Sequence, residues 1–80
     1  METCRICRMD TAQHYTPENG WHSATCTNCG SYKIDMQVMK EMDKGRRLNA
    51  LKMKDWITSV FDVKRNPYPE ISLRTAIWAN

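Results

Sequence analysis

Two Cys-x-x-Cys pairs, Cys4/Cys7 and Cys26/Cys29, stand 18 residues apart in a chain of 80 residues that has no other cysteine. Two residues between sulfurs let one tight turn aim both at a single point. The separation of the pairs falls within the window of a four-cysteine zinc site. Zn–S bonds of about 2.3 Å would then join two distant turns, with backbone N–H groups of each turn relieving the charge on the thiolates.

The chain needs such a staple. A domain of this length buries too little surface for its core to hold it firmly. With 41% hydrophobic residues and seven aromatics, no unusually dense core offsets that shortfall. No basic start followed by an apolar run opens the chain, and no stretch of about 18 apolar residues occurs. The expectation is a cytoplasmic protein with no membrane association. In a reducing compartment, paired cysteines are metal ligands or redox catalysts more often than disulfides.

Gly30 directly after Cys29 suits the positive φ that such a turn takes past its second sulfur. Arg8 holds that place after Cys7, so the first turn is expected to be the more distorted. Four sulfurs leave zinc no open position, so one structural Zn²⁺ is expected and metal-assisted hydrolysis is not. An iron site, a redox pair and a disulfide remain as alternatives, as does replacement of one cysteine by His14 or His22. A thioredoxin-like reading lacks its βαβ setting. No Ser/His/Asp grouping, carboxylate pair or phosphate-cradling glycine loop is evident, so neither an enzyme nor a small-molecule substrate is expected.

Between the cysteine pairs, Ala12 to Thr16 and Trp21 to Thr25 flank Pro17-Glu18-Asn19-Gly20. Asn-Gly supplies positive φ for a tight turn, which predicts a β-hairpin. Ser31 to Ile34 adds a third short strand. Beyond it Asp35 is an N-cap, Val38, Met39 and Met42 recur at helical spacing, and Gly45 is a left-handed stop. A second helix is expected at about Leu48 to Asp62, with Ala50, Met53, Ile57, Val60 and Phe61 on one inward arc. Met36, Met39, Met42 and Met53 are read as packing residues. Asn66-Pro67-Tyr68-Pro69 breaks the pattern, and a last helical turn from Leu73 to Ala79, capped by Ser72, follows. The fold class is therefore a small α+β zinc-binding domain: a ribbon hairpin over 1–34, then two to three short helices over 35–80 packed on it as one unit.

The segment Cys4 to Ile34, through its two knuckles, its hairpin and Cys26-Thr27-Asn28-Cys29-Gly30, resembles a zinc ribbon. Trp21-His22-Ser23-Ala24-Thr25-Cys26 and Gly30-Ser31-Tyr32-Lys33-Ile34 are similar to short zinc modules of larger bacterial proteins. A free-standing version resembles accessory proteins of phages and mobile elements, by analogy alone. Zinc ribbons serve in DNA, RNA and protein recognition, so the resemblance implies zinc and leaves the partner open.

The formal charge of +3 falls to about +1 once four thiolates and Zn²⁺ are included. Lys44, Arg46, Arg47, Lys52 and Lys54 follow one another without an intervening acid. Arg46, Arg47, Lys52 and Lys54 are thus candidate contacts to a partner, with Arg5 and Arg8 extending the set. Wound as a helix, however, Lys52 points away from Arg47 and Lys54. The sequence thus favours a non-catalytic regulator or inhibitor that binds a larger protein machine, with a nucleic-acid-binding module as the alternative. Trp21, Trp56 and Trp78 would serve a protein interface if exposed and the core if buried.

Overall fold

The computed structural model describes residues 2–79. The elements run β1 (Ala12–His14), β2 (Trp21–Cys26), β3 (Gly30–Asp35), α1 (Met36–Asp43), α2 (Ala50–Val60) and β4 (Glu70–Ile71). They build one four-stranded sheet in the order β1-β2-β3-β4. The first three strands are antiparallel and β4 runs parallel to β3.

The expected hairpin forms for the expected reason. Glu18 and Trp21 exchange backbone hydrogen bonds of 3.0 and 2.9 Å around Asn19-Gly20. Both turn residues have positive φ, 53° and 81°, as a two-residue turn matched to strand twist requires. Cys26 pairs with Gly30, so the second cysteine turn is itself the β2–β3 connection.

Both helices are capped as their sequences dictate. Asp35 accepts from the Gln37 N–H at the start of α1, and Asn49 accepts from the Lys52 N–H at the start of α2. At the end of α1, Gly45 takes φ 100°. The Arg46 N–H reaches back to the Glu41 carbonyl and the Gly45 N–H to that of Met42, which satisfies carbonyls the helix leaves open. The second helix is shorter than the sequence suggests. Leu48 is extended opposite Trp78, and Asp62 accepts from the N–H groups of Lys64 and Arg65, which starts a turn where a helix would continue.

No third helix forms among the described residues. Ser72 does cap one turn, its hydroxyl accepting from the Arg74 N–H. The chain then straightens, because Ile77 O accepts from Asn49 N–H at 2.8 Å and Ala79 N–H donates to Arg47 O at 2.7 Å. Tertiary pairing has taken the backbone groups that a helix would need.

The core lies between one sheet face and the helices. Ala24, Cys26, Tyr32, Ile34 and Ile71 come from the strands, Val38, Met53 and Ile57 from the helices, and Leu48 from their connection. Of the expected arc on α2, Met53 and Ile57 are buried and Ala50 and Val60 half-buried. Phe61, just past the helix, is exposed. Met39 and Met42 pack against the core, but Met36, in the first turn of α1, is 47% exposed. All three tryptophans are half-buried.

Candidate metal centre

The first cysteine turn precedes β1 and the second joins β2 to β3, so sheet pairing brings the two together. All four sulfurs lie within 4.8 Å of one another. Cys4 Sγ is 4.0 Å from Cys29 Sγ and Cys7 Sγ is 3.8 Å from Cys26 Sγ. Four sulfurs about 2.3 Å from a common centre stand about 3.8 Å apart on a tetrahedron, so the arrangement fits a metal ion. None of the four is in a disulfide. Cys4, Cys26 and Cys29 are buried and Cys7 is partly exposed.

Each turn is built alike. The Ile6 N–H donates to Cys4 Sγ and the Asn28 N–H to Cys26 Sγ, both at 3.4 Å. The first turn is not the irregular one the sequence suggests: Arg8 adopts φ 64°, the counterpart of Gly30 at φ 94°.

Two further side chains touch the sulfurs. The Tyr32 hydroxyl is 3.3 Å from Cys4 Sγ and accepts from the Arg5 N–H at 3.3 Å. Toward a thiolate the phenol can only donate. The Thr11 hydroxyl is 3.2 Å from Cys26 Sγ and 3.8 Å from Cys7 Sγ. Sequence reasoning missed both. The available signal for Tyr32 was its phase on β3, which it shares with Ile34: a phenol on a buried face needs a polar partner.

These contacts set the protonation of the metal-free sulfurs. Cys4 is held down at about 4, chiefly by the Cys29 hydrogen bond, against the cost of burial and with help from Tyr32 and backbone N–H groups. Cys29 is pushed up as the donor to Cys4, and burial adds to this. Burial and the bond to Cys4 likewise hold the Tyr32 phenol protonated.

His14 and His22 do not join the sulfur cluster. His14 Nε2 is engaged at 2.7 Å with the Thr3 carbonyl, and His22 sits on β2 opposite Ile34. The candidate basic contacts spread over the α1–α2 connection and α2. Arg46 pairs with Glu41 at 3.2 Å and covers the Trp78 ring at 3.9 Å, so it serves the fold. Lys44 also pairs with Glu41. Arg47, Lys52 and Lys54 are exposed.

On the sheet face away from the helices, Trp21 and Ser23 of β2, Lys33 of β3 and Glu70 of β4 border a cleft of about 400 Å³. Lys33 is 5.0 Å from the Trp21 ring centre and 3.3 Å from the Glu70 carboxylate. Tyr68 closes the cleft and meets Tyr15 edge to face. No helix of the described residues is long and apolar enough to cross a membrane.

No family model, no curated protein and no solved structure matches the chain. The four clustered cysteines are consistent with a zinc-binding module in a small α+β fold.

Proposed function

We propose that this chain is a non-catalytic interaction protein, stapled by one structural Zn²⁺, that regulates or inhibits a larger protein partner. The observation that carries the reading is the cluster of four sulfurs within 4.8 Å of one another, two pairs of them 3.8 and 4.0 Å apart. Four thiolates fill every position of a tetrahedral zinc, so the metal supports the fold and activates no water. Zinc is preferred over iron because closed tetrahedral four-thiolate sites at this spacing are its usual structural setting.

The cleft on the open sheet face supports a protein partner. Its aromatic side chains, Trp21 and Tyr68, and its guanidinium, Arg65, are the residue types that concentrate binding energy at protein interfaces. Its charges balance, with Glu18 and Glu70 against Lys33 and Arg65, which suits a polypeptide better than a polyanion.

The test is affinity capture from cells with nuclease-treated lysate, followed by repetition with Tyr68→Ala. A single protein partner retained by the native chain and lost with Tyr68→Ala is the expected result. Capture that vanishes with nuclease, or that ignores the substitution, refutes the reading.

A further inference from the structure

The four sulfurs are not equivalent. Within each turn a backbone N–H reaches the first sulfur, from Ile6 to Cys4 and from Asn28 to Cys26. Among the described residues no backbone N–H donates to Cys7 or Cys29. Cys4 also takes the Tyr32 hydroxyl at 3.3 Å, and Cys26 the Thr11 hydroxyl at 3.2 Å. The same Thr11 hydroxyl stands 3.8 Å from Cys7. A hydrogen bond stabilises the charge of a thiolate, and a better stabilised thiolate is a poorer nucleophile.

Exposure separates the sulfurs further. Cys4, Cys26 and Cys29 are 0%, 2% and 4% exposed, whereas Cys7 is open to solvent in part. Cys29 lacks an N–H donor as Cys7 does, but burial closes it off. Oxidation of cysteine follows thiolate character and access, and the two together select Cys7.

A second thiolate lies beside it. Cys26 Sγ is 3.8 Å from Cys7 Sγ, so a disulfide of about 2.05 Å asks the pair to close by about 1.8 Å.

We propose that Cys7 is a site of oxidation by peroxide, and that the reaction ends in a Cys7–Cys26 disulfide that opens the metal centre. The inference rests on the reading that the four thiolates hold Zn²⁺. In the first step the Cys7 thiolate attacks a peroxide oxygen: the S–O bond forms, the O–O bond breaks, the sulfur gives up two electrons and hydroxide leaves. In the second the Cys26 thiolate attacks the sulfenic sulfur of Cys7: the S–S bond forms, the S–O bond breaks and a second hydroxide leaves. Each hydroxide takes a proton from solvent. Two thiolates, one hydrogen peroxide and two protons thus become one disulfide and two waters. Cys4 and Cys29 alone are too few for a closed zinc site.

The experiment treats the zinc-loaded native protein with one equivalent of hydrogen peroxide. Metal release is followed with a chromophoric chelator too weak to strip the untreated protein. Thiols are then capped in denaturant and the peptides mapped by mass spectrometry, with dimedone added to a parallel sample to trap sulfenic acid. Trypsin cuts after Arg5, Arg8 and Lys33, which puts Cys4, Cys7 and the Cys26/Cys29 pair on three peptides. Fragmentation tells Cys26 from Cys29. One zinc released per peroxide consumed, dimedone on Cys7 and a Cys7–Cys26 disulfide are the expected results, with dithiothreitol and fresh zinc restoring the centre.

Histidine can stand in for a thiolate on zinc. Cys7→His should therefore keep its zinc over the time in which the native chain loses its own, and Cys29→His should lose it as the native chain does. Mapping in the native chain decides the question even where a variant fails to fold. A native chain that binds no zinc refutes the metal reading and this inference with it. A chain that binds one zinc yet keeps it under peroxide, is oxidised first at another cysteine, or pairs Cys7 with Cys4 or Cys29 refutes this inference alone, as does Cys7→His that releases zinc at the native rate.

Discussion

Replacing Tyr32 by Phe deletes one oxygen from the fully buried ring of Tyr32 and leaves its volume filled, so no cavity term arises. Two interactions go. The phenol donates to Cys4 Sγ at 3.3 Å, a bond to a charged acceptor worth about 1.5–3 kcal/mol. The Arg5 N–H loses its acceptor at 3.3 Å. That group is only partly buried, so its cost sits at the low end of about 1–3 kcal/mol.

The two losses together come to about 2.5–4 kcal/mol. Part appears as weaker zinc binding, since losing a partner of a metal ligand typically lowers affinity by about 10–100-fold. The remainder appears as lower stability of the zinc-loaded protein. Competition against a chromophoric chelator gives the affinity and chemical denaturation the stability. Tyr15→Phe is the control: its hydroxyl bonds Thr25 at an exposed position, and both quantities should stay native. A Tyr32→Phe protein that binds zinc within about threefold of native and unfolds at the same denaturant concentration would show that the phenol contributes nothing to the centre.

Three further outcomes are expected. Gly30→Ala should destabilise the zinc-loaded protein by about 1–2 kcal/mol through its positive φ alone, because the added Cβ meets Ile57 Cγ2 at an ordinary 3.5 Å. Denaturant titration reads it, and a native midpoint would show that alanine relaxes the turn. Asn49→Ala should cost about 1 kcal/mol by removing the cap on the Lys52 N–H, seen as a lower melting temperature; an unchanged one would make the cap dispensable. Zinc uptake at pH 7 should release close to four protons, counted by calorimetry in buffers of different ionisation heat. A preserved metal-free fold would hold Cys4 at about 4, below its unfolded value of about 8.5. That depression stabilises above the unfolded value and is lost as pH falls through about 4, so Cys4 would already be a thiolate at pH 7 and at most three protons could leave. Unfolded cysteines at ordinary values give up nearly all four, and a count of three or fewer refutes the coupling of folding to metal.

What could be read from the sequence was local. The Asn19-Gly20 turn, the Asp35 cap and the Gly45 stop each depend on a residue and its immediate neighbours, and each stands in the structure. The four sulfurs were legible for the same reason, since a Cys-x-x-Cys turn is a local object and its chemistry demands a second one. The features that escaped depend on distant partners. Strand β4 is two residues long beside Pro67 and Pro69, with no periodicity to reveal it. It exists because Pro69 O accepts from the Lys33 N–H. Residues 73–79 follow a capping serine, Ser72, and have apolar spacing, yet Leu48 claims Trp78. Arg8 misled because the residue type speaks for strain at that site, while the turn that brings the sulfurs of Cys4 and Cys7 into the cluster takes a positive φ there all the same.

The sulfur cluster and the helices are coupled through β3. Tyr32 on that strand touches Cys4, while Gly30, at its start, lies against Ile57 of α2 and follows Cys29 directly. Three of the thirteen buried apolar residues described are Cys4, Cys26 and Cys29. A chain of 9.4 kDa with 5265 Å² exposed hides only about 60% of the surface of its extended form, which leaves little reserve if those three lose their ion. Free thiolates at 3.8–4.0 Å would repel, and protonation would leave sulfurs that no longer draw the N–H groups of Ile6 and Asn28. Loss of zinc should therefore loosen β3 first, and with it the parallel strand and both helices that rest on it. The 62–71 segment, tied to β3 through β4, should therefore lose its packing on the sheet when the metal is removed.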